Sequence, residues 1–431
     1  MMRYYRLLAV ALPFCAACTV VNKQIDPTSD LAEARVRPGI TVLLSDSLHL
    51  IRGKRIGLLT NQTGVNERGT SDIDLLRQKK ARDAGVNLVQ LFSPEHGLRG
   101  TEDRQNIANG VDAGSGLPVY SLYGQQTMAP PDSMLRSLDA LVFDLQDIGT
   151  RTWTYVGAMV YAMRASARAQ RPIIVLDRPN PITGYIIEGP LLDSSLANPE
   201  DPAPGRPGQA YALWPMPLRH GMTMGELALY FNDVLKIHAD LHVVPALGWR
   251  RDVWFDLTGL PWVKPSPNMP SLQSAMLYPG LVAFEASNLS VGRGTTEAFQ
   301  HVGAPWLNAA ATVAILRDRE VPGVRFYAET FTPQNPSDGK YNGQTIPGIK
   351  IVVTGRSSMQ ASRVGATLLW AINKTAGSKL TIQDREFDLR FGSPEVRRAL
   401  LRGEDPDVLI DREYKAAYAF RNATRQYLIY R

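Results

Sequence analysis

Short apolar runs alternate with longer amphipathic segments over roughly the first 250 positions of the chain. The short runs are apolar on successive positions, which is typical of strands that are buried on both faces of a sheet. In the longer segments apolar residues recur every three or four positions, as they do along one side of a helix. The predicted strands are 54–60, 86–92, 139–144, 171–176 and 241–247, and the predicted helices are 72–85, 152–170 and 220–237.

Fully buried strands separated by helices indicate a parallel sheet with helices on both faces. The predicted fold class is therefore α/β, with a Rossmann-like sheet. The helix at 220–237 has a clear start signal, because Thr223 is followed three positions later by Glu226 in the pattern of a capping box.

The second half of the chain has a different pattern, which predicts a smaller α+β domain. Prolines concentrate at 260–271 and mark the expected junction between the two domains. Beyond a loop-rich stretch, strands are predicted at 324–333 and 348–355, and helices at 362–374 and 413–430. The predicted boundaries are 39–262 for the Rossmann-like catalytic domain and 263–431 for the C-terminal domain that completes a cleft.

The N-terminus has the pattern of a bacterial lipoprotein signal. Arg3 and Arg6 precede an apolar run that is too short to span a membrane, and small residues then lead to Cys18. We expect a signal peptide at 1–17, lipidation of Cys18 and a polar tether at 18–38. Simple secretion with cleavage nearby is the alternative.

The residue after the lipidated cysteine bears on where the protein resides. Thr19 is not the aspartate that is associated with retention in the inner membrane. We therefore expect a cell-envelope protein on the periplasmic side, anchored by lipid to the outer membrane rather than the inner one.

Cysteine content and charge exclude several functions. Cys15 and Cys18 are the two cysteines of the chain, so the mature protein would have no thiol for a disulfide, a zinc site or nucleophilic catalysis. The formal net charge of +6 falls slightly when Arg3 and Arg6 leave with the signal. This mild excess suits an anionic ligand, and without a basic-aromatic motif we expect no nucleic-acid partner.

Familiar cofactor and metal motifs are also absent from the sequence. No G-x-G-x-x-G, G-x-S-x-G or H-E-x-x-H pattern occurs. We therefore expect no cofactor and no metal site, although dispersed ligands would leave a metal-dependent hydrolase as an alternative.

Glu95 and His96 form the most informative pair in the sequence. They follow the predicted strand 86–92 directly after Pro94, at the point where an open α/β sheet binds its ligands. A carboxylic acid in such a cleft can serve as a proton donor, with His96 as a neighbouring substrate contact. The alternatives are a helix-capping role for Glu95 and a core position for His96.

Polar residues end all four of the first predicted strands, and the carboxyl ends of neighbouring parallel strands converge. Amide, carboxylate and aromatic groups together suit the recognition of sugar hydroxyls. Asp147 and Arg151 are four positions apart, so a plain ion pair is the alternative there. The candidate residues at these strand ends are Asn61, Gln146, Asp147, Arg151, Tyr155, Arg178 and Asn180.

One loop of the predicted second domain has the composition of an anion-binding loop. Two glycines flank Arg293, so backbone N–H groups and a guanidinium group would lie side by side. The candidate residues of this loop are Glu285, Asn288, Arg293 and Glu297.

Seven segments in order resemble the exo-β-N-acetylmuramidase family of NamZ-like glycoside hydrolases, over roughly residues 39–431. They are LLTNQTG, LFSPEHGLRG, FDLQDIGTRTWTY, LDRPNPITG with EGP, RHGMTMGELA, FEASNLSVGRGTT and GAPW. The resemblance implies an exo-acting hydrolase that releases N-acetylmuramic acid from the non-reducing ends of peptidoglycan fragments, and it places the family's catalytic glutamate on Glu95.

The resemblance leaves a second catalytic group open. Asp147, Glu297 and Glu285 are the candidates in that order, and the TEAFQ segment departs from the family's expected sequence at Glu297. Arg293, Arg151 or Arg178 is expected to bind the lactyl carboxylate of muramic acid. A muropeptide-binding lipoprotein without turnover is the alternative from another functional class.

Overall fold

The computed structural model describes residues 36–101, 107–123, 128–200 and 210–431. Arg35–Arg431 form one compact unit. The predicted signal peptide at 1–17, Cys18 and most of the tether at 18–38 lie outside the described residues. No helix in the described ranges has the length and apolarity needed to cross a membrane.

Twelve strands occur within these ranges, and most of the long ones coincide with the apolar runs. They are β1 (Arg55–Thr60), β2 (Asn87–Ser93), β3 (Gly110–Val111), β4 (Pro118–Ser121), β5 (Ala140–Asp144), β6 (Ile173–Leu176), β7 (Glu188–Leu191), β8 (Pro217–Arg219), β9 (Leu241–Val244), β10 (His301–Gly303), β11 (Val324–Phe331) and β12 (Ile346–Val353).

Twelve α-helices occur within the same ranges. They are α1 (Gly39–Ser45), α2 (Asp72–Arg77), α3 (Lys79–Asp83), α4 (Asp132–Arg136), α5 (Tyr155–Ala169), α6 (Met224–Val234), α7 (Leu272–Leu281), α8 (Ala309–Asp318), α9 (Ala361–Ala376), α10 (Asp384–Phe391), α11 (Pro394–Leu401) and α12 (Pro406–Ala423).

The large sheet has seven described strands in the order β3-β4-β2-β1-β5-β6-β9. All neighbouring pairs are parallel except the edge pair of β3 with β4. The prediction of a mostly parallel Rossmann-like sheet is therefore confirmed.

Successive residues of the central strands face opposite layers of helices. Leu59 and Phe143 contribute to a core with α5 and α6, whereas Leu58 and Val142 contribute to a core with α1, α2 and α3. Both sides of each strand are thus covered by apolar side chains, which explains why these strands are apolar throughout.

Two predicted helices differ from the observed ones. The segment 72–85 forms two short helices, because Gln78 has extended backbone with ψ of 163° between them. The predicted helix at 413–430 instead begins at Pro406, where Asp405 accepts a hydrogen bond from Asp407 N, and it ends at Ala423. Proline is favoured in the first turn of a helix, so Pro406 marks the start of α12 better than the apolar periodicity after position 413 does.

The second half of the chain forms a smaller α+β arrangement, as predicted. β10, β12 and β11 make a three-stranded antiparallel sheet. Helices α7 and α9 cross at two glycines, since a Cβ on Gly365 would lie 2.0 Å from the carbonyl oxygen of Gly280. The largest hydrophobic core contains residues from both halves of the chain, so the two halves share one interior.

The end of β6 is joined to a residue near the end of the sequence. Asp177 accepts hydrogen bonds from Gly225 N at 2.8 Å and Thr223 Oγ1 at 2.7 Å, next to the capping box of α6, which forms as predicted. The Tyr430 hydroxyl donates to Asp177 Oδ2 at 2.7 Å and accepts from Ala246 N at 2.9 Å. Burial raises the pKa of Asp177 to about 6.

Candidate active site

A cavity of about 410 Å³ is formed by residues from both halves of the chain. Its lining combines carboxylates, guanidinium groups, hydroxyls and aromatic rings, so that it can offer a ligand ion pairs, hydrogen bonds and ring contacts. The lining residues are Glu95, His96, Tyr123, Thr152, Trp153, Thr154, Tyr211, Ser266, Asn268, Met269, Tyr278, Val282, Glu285, Arg293, Phe299, Glu386 and Arg390.

Glu95 reaches this cavity because the chain turns immediately after β2. Pro94 ends the strand, and His96 has the left-handed backbone conformation, with φ of 69°, that is uncommon for a residue other than glycine. The Glu95 carboxylate is held in place by Thr154, whose Oγ1 donates a hydrogen bond of 2.5 Å to Glu95 Oε2. His96 is 8% exposed and borders the same cavity.

Glu285 and Arg293 form an ion pair in the cavity. Arg293 Nε and Nη2 lie 2.6 and 2.5 Å from Glu285 Oε1, and Arg293 Nη1 donates to Ser337 Oγ at 3.1 Å. The loop can bring Arg293 to this position because Gly292 has φ of 80°, and a Cβ there would lie 2.3 Å from the His301 ring. The arginine of the predicted anion-binding loop thus has a protein carboxylate as its partner.

A second arginine of the cavity, Arg390 on α10, was not predicted from the sequence. Its Nη1 donates to Glu386 Oε2 at 2.8 Å and to the Glu386 carbonyl at 2.9 Å. The guanidinium carbon lies 5.0 Å from the centre of the Tyr211 ring. Tyr211 also donates a hydrogen bond of 3.1 Å to Glu386 Oε2, so these three side chains hold one another.

Arg151 positions α10 and does not line the cavity. Its guanidinium group donates to the carbonyls of Tyr211 at 2.9 Å, Leu389 at 3.0 Å and Arg390 at 2.8 Å. The side chain is buried, and burial lowers its pKa. Arg151 thus forms neither the predicted contact with the cavity nor the alternative ion pair with Asp147, and its contacts connect segments 239 positions apart in sequence.

The predicted strand-end residues do come together, but they bind one another rather than face the cavity. Arg178 donates to both oxygens of Asp144, at 2.5 and 2.9 Å, with both side chains buried. Thr60 donates to the carboxylate of Asp72, which lies near the same pair. Burial raises the pKa of Asp72, and the neighbouring Asp144 raises it further, because a second negative charge nearby disfavours ionisation.

The remaining strand-end amides also have protein partners. Asn61 Nδ2 donates to the Tyr155 hydroxyl at 2.8 Å, and that hydroxyl donates to the Pro265 carbonyl at 2.7 Å. Gln146 donates to the Pro179 carbonyl and Asn180 to the Met222 carbonyl, each at 2.9 Å. This network therefore fixes the loops that follow the strands, including the proline-rich segment from which Ser266, Asn268 and Met269 enter the cavity.

Three further predicted residues lie outside the cavity lining. Asp147 is buried, accepts a hydrogen bond from Gly149 N at 2.6 Å and lies 3.4 Å from His220 Nε2. Glu297 pairs with Lys350 at 2.5 Å. Asn288 joins its loop to 379–381 by donating to the Lys379 carbonyl at 2.8 Å and accepting from Thr381 N at 3.0 Å. Of the three candidates for the second catalytic group, the structure places Glu285 alone on the cavity.

The described part of the chain contains no group of three or more His, Cys, Asp or Glu side chains that could hold a metal ion. The cavity lining contains carboxylates and guanidinium groups, which can take part in proton transfer and ion pairing.

Two family models match the chain in succession. The description "Exo-beta-N-acetylmuramidase NamZ, N-terminal" applies to residues 56–273, and "Exo-beta-N-acetylmuramidase NamZ, C-terminal" applies to residues 276–430. The cavity lining draws on both matched regions.

Sequence and structure comparisons give the same grouping. The chain is 38% identical over 398 residues to the peptidoglycan beta-N-acetylmuramidase NamZ of Bacillus subtilis strain 168, covering 92% of each protein. A crystal structure of a DUF1343 family protein from Bacteroides fragilis superposes with a TM-score of 0.80 at 33% identity, covering 92% of this chain and all of that one. A second such protein from the same organism gives a TM-score of 0.71 at 27% identity, covering 92% of this chain and 99% of that one.

Proposed function

Because the chain belongs to the exo-β-N-acetylmuramidase NamZ family, we propose that it releases N-acetylmuramic acid from non-reducing ends of peptidoglycan fragments with Glu95 as the general acid. The chain is a glycoside hydrolase, an exo-acting β-N-acetylmuramidase that acts on peptidoglycan. The position of Glu95 carries the residue-level proposal, since its carboxyl group borders the cavity and its second oxygen is fixed by Thr154.

In this proposal Glu95 donates its proton to the glycosidic oxygen as the bond to the anomeric carbon breaks. A carboxyl group that is already held in place loses little freedom on reaching the transition state, which favours acid catalysis. His96 follows Glu95 on the same turn and contacts the bound sugar in this arrangement.

Glu285 is the proposed second carboxylate, in place of the first-choice Asp147. It borders the cavity, and the ion pair with Arg293 fixes its orientation. A carboxylate here would stabilise the oxocarbenium-like centre or activate the attacking water, as the second acidic group does in glycosidases.

Hydrolysis of the disaccharide N-acetylmuramyl-β-1,4-N-acetylglucosamine tests the assignment of Glu95, because a sugar leaving group needs the proton that an activated nitrophenolate does not. We expect release of N-acetylmuramic acid by the wild type and a loss of at least about a hundredfold in kcat for Glu95→Gln, the usual scale of acid catalysis. Glu320→Gln, at an exposed position, is the matched control and should retain wild-type turnover. An unimpaired Glu95→Gln variant would remove Glu95 from the mechanism, and a wild type that binds muropeptides without turnover would favour the non-catalytic alternative.

The same proposal includes a lipid anchor that places the protein at the periplasmic face of the outer membrane. It is supported by the sequence of the first 18 residues, in which a short apolar run and two alanines precede Cys18. We expect metabolic labelling with a radioactive fatty acid to mark the wild type and not Cys18→Ser. An unlabelled wild type recovered in the soluble periplasmic fraction would contradict the anchor.

A further inference from the structure

Arg390 carries a guanidinium edge, Nη2 and Nε, that makes no hydrogen bond to the described residues. Nη1 is bound to Glu386, but Nη2 makes no hydrogen bond to any described residue, and Nε lies 3.9 Å from Glu285 Oε2. We propose that this edge of Arg390 binds the lactyl carboxylate of N-acetylmuramic acid and so selects muramic acid over sugars that lack the acid. The inference rests on the proposed function and adds a specificity residue to it.

The other arginines that the sequence nominated are less suited to this role. All three nitrogens of Arg293 contact Glu285 or Ser337. Arg178 is buried against Asp144, and Arg151 is buried against three main-chain carbonyls. Among these four arginines, Arg293 and Arg390 border the cavity. Of these two, Arg390 has N–H donors, on Nη2 and Nε, that make no hydrogen bond to the described residues.

The surroundings of Arg390 hold its side chain in one orientation. The guanidinium group lies over the Tyr211 ring on one side and is bound at one nitrogen by Glu386. Its own carbonyl oxygen accepts a hydrogen bond from Arg151, which also donates to the carbonyl of the preceding residue, Leu389. A fixed, planar donor pair is what bidentate recognition of a carboxylate requires, because little side-chain entropy is lost on binding.

The charge of the cavity as a whole does not favour an anion. Its lining contains three carboxylates, Glu95, Glu285 and Glu386, and two guanidinium groups, Arg293 and Arg390. Long-range attraction therefore contributes little, and selection of an acidic sugar has to come from a direct contact. Nη2 and Nε of Arg390 supply such a contact.

The experiment compares three nitrophenyl β-glycosides: N-acetylmuramide, its lactyl amide and N-acetylglucosaminide. We expect the wild type to prefer the acid over the amide by at least about thirtyfold in kcat/KM, the scale of hydrogen bonds to a charged group. Arg390→Met should lose this preference, so that its own kcat/KM values for the acid and the amide differ by less than about threefold. Arg385→Met, at an exposed position of the same helix, removes the same charge and should behave as wild type.

The outcomes separate this inference from the function on which it rests. Two outcomes would overturn the role of Arg390 and leave the muramidase activity intact. In the first, the wild type hydrolyses the acid and the amide with equal kcat/KM. In the second, Arg390→Met loses activity on both substrates equally. A wild type inactive on all three glycosides would overturn the proposed function itself. If Arg390→Met does not fold, Arg390→Lys is assayed with the same substrate pair, and a retained acid preference of wild-type size would contradict the bidentate contact.

Discussion

Thr154 donates its hydroxyl hydrogen to Glu95 across a distance of 2.5 Å, and thereby links the first residue before α5 to the turn after β2. The two residues are 59 positions apart in sequence. The Thr154 hydroxyl makes no capping hydrogen bond to α5. Among the described residues it instead donates to the carboxylate of Glu95.

Replacing Thr154 by valine should lower kcat on the disaccharide N-acetylmuramyl-β-1,4-N-acetylglucosamine by at least about tenfold, because a hydrogen bond to a charged or acidic group is worth about 1.5 to 3 kcal/mol. Valine keeps the shape of threonine and removes the hydroxyl. Thr154→Ser keeps the hydroxyl and should stay within about threefold of wild type. Equal rates for the two variants would show that the hydrogen bond does not matter for turnover.

Arg151→Met should destabilise the fold by at least about 3 kcal/mol, because it leaves three main-chain carbonyls without their donor. The free energy of unfolding in urea measures this loss, with Arg398→Met at an exposed position as the control. A variant that keeps wild-type stability and shows only a raised KM would instead support direct contact between Arg151 and the substrate.

Asp177 predicts a specific pH dependence of stability. Its pKa of about 6 in the folded state exceeds that of an unfolded aspartate, so between about pH 4 and pH 6 the folded state retains a proton that the unfolded state releases. The contribution of Asp177 therefore lowers the free energy of unfolding by about 3 kcal/mol as the pH rises through that window.

Asp177→Asn lacks the titrating group, so its free energy of unfolding relative to wild type should increase by about this amount between pH 4 and pH 6.5. Urea unfolding of both proteins across this range measures the difference. A difference that stays constant with pH would contradict the protonation of Asp177 in the folded state.

The crossing of α7 and α9 should tolerate no side chain at Gly365. An added Cβ would lie 2.0 Å from the Gly280 carbonyl oxygen, and the two helix backbones would have to separate. We expect Gly365→Ala to cost about 3 kcal/mol and to lower Tm in thermal unfolding. Gly110→Ala, where a Cβ would meet nothing within 4 Å, should leave Tm unchanged, and equal effects at the two positions would contradict the close crossing.

The sheet could be predicted from the sequence because its central strands are apolar at most successive positions, a pattern that depends on local residues alone. Strand β8, with three residues, and β3, with two, are too short to show any period, and they were not predicted. The position of Glu95 after β2 could likewise be inferred, since the end of a parallel strand identifies the binding edge of the sheet.

The rest of the cavity could not be predicted in the same way. Asn61 and Arg178 occupy strand ends, but whether such groups face a ligand or each other depends on contacts between distant segments. Arg390 lies on an ordinary amphipathic helix with no motif around it, and a hydrogen bond from Arg151, 239 positions away, brings it to the cavity. The local sequence around Arg390 therefore does not predict its contact with Arg151.

The Tyr430 hydroxyl reaches Asp177 across 253 positions of sequence. During synthesis, the sheet of the first half is therefore made long before the group that completes its strand end leaves the ribosome. Native contacts of this sequence separation form late and slowly. The nascent first half must therefore persist without the hydrogen-bond donor Tyr430 until the last residues of the second half have been synthesised.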